Sequence, residues 1–598
     1  MHTYDVVIMG GGLAGQFLAR QLRLTRPELT VLVIEAALKI EDYKVGESTV
    51  EVAAHYMVRR LNLGTYLYQH QLPKNGLRFF FDSAEKDLPL TEMSEIGSDH
   101  LPHHPSFQLN RATLERDLVE MNRAAGVQVE LGAKITDLTV DGGTQHTVTY
   151  EQDGATHTIG SRWLVDASGR RHLLARKLGL EITKETRLNT GAGWARYENL
   201  PGMDEVRDPG WRARVKYTSR YLSTNHMNYD GYWLWFIPLN GDVMSVGAVY
   251  DKDRLQNPPR NARDFDAFMR SHRSSRDLME GSKLVDYGGY AHLPYHTDRF
   301  YSRDRWALVG ESGAFPDPFY SPGSDFIATA NEFTTSLILS ETSGDTAAFH
   351  DKVDVYNAYH VYKYENVIRL YIGMYPMLGS YEAFRLKYLL DFNNYYNLVV
   401  WPYMDGRLTD VSWLREELRI SDRILQAISQ SMLHMRGFSD TLLARGEYFA
   451  QNRGRFANGL NGVQHMENVI DKPIDPDFRR REVDKAFGSV FASLLERFAD
   501  APGFSTRECV LRELGVPQVM LYKEVNEESF RRLLSRVASG LERDLRKEFP
   551  GETIEKVVIA DRAADVDVLT ASPERERILV RAGALWKARG NSLTSIGM

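Results

Sequence analysis

Of the 598 residues only one, Cys509, is a cysteine. A single thiol excludes an intramolecular disulfide and a thiolate metal cluster, and it suits a reduced, cytoplasmic compartment. No apolar run approaches the roughly 18 residues that cross a bilayer, so no membrane contact is expected. Met1-His2-Thr3 runs straight into an apolar stretch that reads as a strand, so no signal peptide is expected. Excess basic charge is also lacking: the net charge of −7 leaves no footprint for nucleic acid. The cluster Arg479-Arg480-Arg481 lies beside acidic residues and reads as a solvated face. His100, His103 and His104 lie in a Pro-containing loop and the pair His292/His296 flanks Pro294, so no metal site is expected. A nucleophile elbow, a P-loop and internal repeats are missing as well.

What is present is an ordinary globular composition, 43% hydrophobic and 26% charged, in a chain too long for one core. Tyr4-Asp5-Val6-Val7-Ile8-Met9 reads as a buried strand. Gly10-Gly11-Gly12-Leu13-Ala14-Gly15 follows and opens an amphipathic helix, with the G-x-G-x-x-G spacing at Gly10, Gly12 and Gly15. The first glycine permits a tight turn, the second lets backbone approach a pyrophosphate, and the third lets helix pack on strand. The helix N-terminus, Leu13 and Ala14 included, offers free amides and partial positive charge to the phosphates. A second strand, 30–34, ends at Glu35, where a carboxylate accepts from ribose hydroxyls and repels a 2′-phosphate. This predicts a dinucleotide site. No second G-x-G-x-x-G marks a separate nicotinamide domain.

Further along, Trp233-Leu234-Trp235-Phe236-Ile237-Pro238 spells W-x-W-x-I-P. On a strand, positions i and i+2 share a face, so the two indoles lie side by side. Downstream of the glycine fingerprint, this motif resembles the flavin-dependent halogenases, in which two indoles wall the flavin off from the organic substrate. Other segments of residues 1–345 resemble the family in order, and through it the para-hydroxybenzoate-hydroxylase-like flavoproteins. Val45-Gly46-Glu47-Ser48-Thr49 looks like the segment near the flavin, and Arg111 like the arginine along the cofactor. Asp166, in Asp166-Ala167-Ser168-Gly169, looks like the segment closing the nucleotide site. Gly310-Glu311 stands where the family has Gly-Asp, so its ribityl contact is shifted by a methylene.

The resemblance implies FAD, used as FADH2 from a separate flavin reductase, with chloride or bromide as co-substrate. It also implies that hypohalous acid travels to a separate substrate pocket, which calls for a barrier, a lysine and a halide site. Trp233 and Trp235 are the barrier candidates. Lys74 precedes Phe79 by the family's five positions and is the lysine candidate, either hydrogen-bonding hypohalous acid or forming a chloramine. Residues 315–323 fit F-x-x-P-x-x-S-x-G at Phe315, Pro318, Ser321 and Gly323. Pro318, Gly323 and Ser324 are placed against the cofactor, and Ser321, Gly323 and Ser324 around the halide. Two departures stand out. Tyr320 occupies the glutamate position of tryptophan halogenases, a carboxylate that members acting on phenols and pyrroles also lack. Pro322 replaces the usual Thr or Ser and has no N–H to offer an anion.

The expected fold is α/β: a G-x-G-x-x-G Rossmann-like FAD domain of the para-hydroxybenzoate-hydroxylase type, an antiparallel substrate sheet and a C-terminal helical region. The expected organisation is a core over 1–345, with the sheet contributed by 76–104 and 185–299. Strands are predicted there at 212–218, 231–238 and 243–250. A helical cap over 346–500 and a helical extension over 501–598 follow, with amphipathic helices at 482–500 and 525–548. Aromatics crowd 353–404 and read mainly as core, some lining the substrate pocket. The function implied is halogenation of an electron-rich phenolic, pyrrolic or indolic substrate, carrier-bound or free, in specialised metabolism such as antibiotic biosynthesis. A monooxygenase or oxidase on the same scaffold is the alternative, and a non-catalytic flavin-binding protein a further one. A homodimer is left open.

Overall fold

Thr3–Met9 occupies the middle of an eight-stranded sheet, with Val6 to Met9 wholly buried. The computed structural model describes residues 1–41, 43–143, 145–459, 472–497, 527–559 and 566–591. The sheet runs 301–302, 306–308, 155–166, 3–9, 31–35 and 128–131; strands 146–152 and 134–139 continue it as an antiparallel meander. Its central neighbours are parallel. Parallel neighbours need a crossover, and the helix Leu13–Thr25 provides the first. Strands covered on both faces read as unbroken apolar runs, as Val31–Glu35 does.

The second large sheet is ordered 283–290, 190–198, 243–251, 232–239, 224–229, 77–81, 94–97 and 456–458. From 283–290 through 224–229 it is antiparallel, as expected. Thr224–Tyr229 then pairs parallel with Leu77–Phe81, and Phe456–Asn458 parallel with Ser94–Gly97. One face of this sheet buries Phe80, Met227, Leu234, Phe236 and Val246 in the largest core of this region. The expected strand at 212–218 is corrected: Pro209–Arg214 is a helix. Asp208 caps it by accepting from the Trp211 amide at 2.7 Å, and Pro209 presets the first turn. Local capping outweighs the strand-like alternation there.

The first compact unit comprises 1–381, 406–421 and 447–458, and so runs past the expected division at 345. The helix Thr346–Tyr371 is capped by Asp345. It belongs to this unit because His360 stacks on Phe300 at 3.9 Å and Asn357 accepts from the Phe300 and Tyr301 amides. The second unit comprises 382–405, 422–446 and 459–598. Its described C-terminal part is not purely helical, a second correction. Between the helices Glu527–Glu548 and Arg575–Asn591, Ile554–Ile559 and Val566–Thr570 form a hairpin. β-Branched alternation buries Ile554, Val557, Val566 and Val568 against Leu541, Leu545 and Ile578. The helix expected at 482–500 lies within Pro476–Arg497, while 498–500 and Cys509 fall outside the described residues. No described helix is long and apolar enough to cross a membrane, and the described residues hold no cluster fit to bind a metal ion.

Candidate functional site

The glycine turn is built as its spacing requires. Gly10 has a φ of +116°, and a Cβ there would sit 2.4 Å from the Ala167 carbonyl oxygen. A Cβ on Gly15 would lie 2.1 Å from the Gly10 carbonyl oxygen. Gly12 differs: its φ of −74° suits any residue, and nothing lies within 4 Å of its would-be Cβ. The protein itself does not need glycine at 12. The open space at the helix N-terminus is what an approaching pyrophosphate needs, so the residues present fit FAD. Glu35, at the end of its strand, accepts from the Gly11 amide at 2.7 Å and the Ala37 amide at 2.8 Å. Gly310, at a φ of +61°, packs where a Cβ would come within 2.8 Å of Ala14.

Several predicted cofactor residues turn out to be engaged by the protein. Asp166 is wholly buried, and its carboxylate accepts from the Ser168 and Leu174 amides, both at 2.8 Å. It shapes the closing turn and offers the nucleotide no exposed oxygen. Arg111 binds the Val45 carbonyl at 2.8 Å and the buried Glu115. Glu47 pairs with buried Arg196, which also reaches Asp286. Glu311 takes a hydrogen bond from Arg170 at 3.2 Å, and that guanidinium lies over Tyr290, 4.2 Å from the ring centre. Sequence reasoning missed both arginines, because their partners lie 141 and 149 residues away.

The tryptophans sit on Tyr232–Leu239, all of whose residues are buried. Trp233 and Trp235 have ring centres 5.7 Å apart, tilted by 44°. Trp235 donates to Ser245 Oγ at 3.2 Å and covers Gly247, its register partner. Trp233 contacts Tyr375 Oη at 3.4 Å, and Tyr375 in turn donates to Asp317 at 2.8 Å. Tyr375 falls within the aromatic-rich stretch 353–404, but no motif in the sequence singles it out. On the neighbouring strand, His226 lies opposite Trp235 on one side and Phe79 on the other. Its ring stacks on Phe79 at 4.6 Å and sits 5.2 Å from Trp233. Burial pushes the His226 imidazole down to about 3, with the Lys74 charge a further cause.

Phe319 joins the third motif to this face. Its ring lies 5.1 Å from Trp233, 5.7 Å from Phe79 and 5.6 Å from His226. Tyr320 packs edge-on against Phe319 and Phe79. Ser321 adopts a φ of +59°, and Pro322 then caps the helix Gly323–Thr342. The Gly323 and Ser324 amides open that helix, where no preceding carbonyl of the helix exists to accept from them.

Lys74 ends the short strand Leu72–Lys74, paired with Ser106–Gln108, and is 2% exposed. Its ammonium donates to Ser48 Oγ at 2.8 Å and to the Thr49 carbonyl at 2.6 Å. Burial pushes the amine down from 10.5 to about 7, and the nearby Glu51 and Asp325 carboxylates partly oppose the shift. A lysine at that value divides between ammonium and amine near neutrality. Ser48, expected beside the cofactor, has its hydroxyl bonded to Lys74 and to Thr224.

Residues 3–219 match the family model described as an FAD binding domain. The chain is 29% identical over 387 residues to the flavin-dependent halogenase chlA of Dictyostelium discoideum, covering 60% of this chain and 63% of that protein. The chain thus spans less than two thirds of that relative. It is 26% identical over 349 residues to the 1H-pyrrole-2-carbonyl-(peptidyl-carrier protein) chlorinase of Pseudomonas fluorescens, covering 54% of this chain and 72% of that one. Among solved structures, that of the halogenase PltM shares the fold at a TM-score of 0.59 and 16% identity, covering 78% of this chain and 96% of that one. The α/β architecture with its helical C-terminal region is therefore the one the motifs implied: an FAD binding domain in a chain similar to flavin-dependent halogenases.

Proposed function

We propose that the protein replaces a hydrogen on an electron-rich aromatic carbon with chlorine or bromine. The observation that carries this reading is a buried lysine of depressed pKa whose charge acts on His226, a ring packed among Phe79, Trp233 and Phe319. Bound FAD, delivered reduced by a separate reductase, supplies the two electrons with which dioxygen and halide become hypohalous acid. Trp233 and Trp235 keep the organic substrate away from the cofactor, with Phe319 and His226 filling out the wall. The open amides of Gly323 and Ser324, with the Ser321 hydroxyl, hold the halide.

Lys74 has spent two of its three N–H bonds on Ser48 and Thr49. The third donates to the oxygen of the hypohalous acid and leaves the halogen electrophilic. The ring carbon attacks the halogen, and the oxygen departs as water with the Lys74 proton. The proton lost from the ring then restores the ammonium. No carboxylate stands at Tyr320 to take that proton, which suits phenols and pyrroles, since an activated ring loses it readily. The carrier-bound pyrrole in the relative's name supports a tethered acyl aromatic among the substrates to try.

Pro322, without an N–H in the halide loop, favours one alternative, oxygen insertion on the same scaffold. Incubation with photoreduced FAD, dioxygen, bromide and a panel of phenols and pyrroles separates the two. Product mass showing bromine in place of hydrogen, lost in Lys74→Ala, supports halogenation. A product one oxygen heavier, independent of bromide, selects the monooxygenase.

A further inference from the structure

A buried lysine that titrates needs partners in both protonation states, and the side chains behind Lys74 provide them. Ser48 Oγ lies 2.8 Å from Lys74 Nζ and 2.7 Å from Thr224 Oγ1. Thr224 Oγ1 in turn lies 2.9 Å from Gln108 Nε2 and 3.3 Å from Gln108 Oε1. None of the four residues is more than 7% exposed. They come from four separate parts of the sequence: the 45–49 segment, the lysine strand, the strand Ser106–Gln108 and the start of Thr224–Tyr229. Gln108 turns both an N–H donor and a carbonyl acceptor toward one hydroxyl, which is what a reversible chain requires at its closed end.

We propose that Ser48, Thr224 and Gln108 form a hydroxyl chain whose polarity reverses with the charge of Lys74, making Ser48 a positioning residue for the lysine. With the ammonium, Nζ donates to Ser48, Ser48 donates to Thr224, and Thr224 donates to the Gln108 carbonyl. With the amine, Gln108 Nε2 donates to Thr224, Thr224 donates to Ser48, and Ser48 donates to the nitrogen lone pair. Only the hydroxyl hydrogens rotate. The chain ends in an amide that neither gains nor loses a proton, so it orients and does not conduct. In the amine state Ser48 occupies the lone pair, which disfavours attack by nitrogen on a halogen and leaves the ammonium as the working form. The other groups that act on the amine are Glu51 and Asp325, which favour its charge, and the neutral His226 ring. Removing Ser48 costs the ammonium a charge-assisted bond and the amine a weaker neutral one.

The working-form argument rests on the proposed function, but the chain itself is read without turnover. Full-length protein carrying [ε-13C]lysine is titrated by NMR, with the Lys74 signal assigned by its loss in Lys74→Met. The wild-type signal should titrate near 7. In Ser48→Ala the midpoint should fall by about one unit, a tenfold change in the protonation equilibrium. It should fall less in Thr224→Val and stay in place in Thr224→Ser. An unchanged midpoint in Ser48→Ala overturns the proposal, as does a wild-type midpoint at the ordinary lysine value. A tenfold weaker Kd for FAD in Ser48→Ala, with the lysine midpoint unmoved, returns Ser48 to the cofactor site. If the shifts appear but no halogenated product forms, the functional reading fails and the hydroxyl chain stands.

Discussion

The indole of Trp235 fills the space that a side chain on Gly247 would need: a Cβ there would lie 2.1 Å from the ring. The two residues face each other across adjacent antiparallel strands. The wall therefore depends on a missing methyl group as much as on an indole.

Gly247→Ala should push Trp235 out of place, at a cost of about 1–3 kcal/mol in stability from overpacking. With the ring displaced, oxidant should escape before reaching substrate. Product formed per FADH2 consumed should drop several-fold and hydrogen peroxide should rise, at unchanged FAD affinity. Coupling equal to wild type would show that Trp235 is not part of a barrier.

Lys74→Ala should reduce halogenation by about 10²–10⁴-fold, the range of a lost proton donor, while retaining FAD. In the wild type, kcat/KM should fall as pH rises through about 7, because the ammonium is the donor. A profile that climbs through the same region would instead identify the amine as the working form.

The same lysine links pH to stability. In the unfolded chain it keeps its proton up to about 10.5, whereas in the fold it loses it near 7. Between those values the unfolded state binds more protons, so folding stability gains with pH from this group, and below 7 its full burial cost is present. Lys74→Met should remove that gain. Parallel curves of Tm against pH for the two proteins, from 7 to 10, would contradict the shift.

At the nucleotide end, Gly12→Ala and Gly15→Ala should behave differently. The Gly12 side chain would point into open space, so the apoprotein should melt at the wild-type temperature while FAD affinity falls at least about tenfold, or 1.4 kcal/mol. Gly15→Ala collides with the Gly10 carbonyl and should destabilise the apoprotein itself. Undiminished FAD binding in Gly12→Ala would place the pyrophosphate elsewhere.

Pro322→Ser adds an N–H beside the proposed halide site and keeps a residue able to cap the helix. The KM for bromide should fall several-fold, with little change in the KM for the aromatic substrate. No response of the bromide KM would remove residues 321–324 from the halide site.

Local chemistry decided what could be read from the chain alone. The nucleotide turn was legible because Gly10, Gly12 and Gly15 fall at a fixed spacing within one strand–turn–helix segment. Likewise the indole face follows from the two-residue repeat of a strand, whereas Lys74 was singled out by its resemblance to the family's lysine, five positions before a phenylalanine. The misread segment 212–218 shows the converse: one capping aspartate and a proline outweighed an alternating pattern. Tertiary structure alone decided which groups touch. Trp233 meets Tyr375 across 142 residues, Ser48 meets Thr224 across 176, and Arg196 meets Glu47 across 149. Periodicity and spacing carry no information at such separations, because sheet order and register set them. It was also the fold that lowered the Lys74 pKa, since packing withdraws the amine from water.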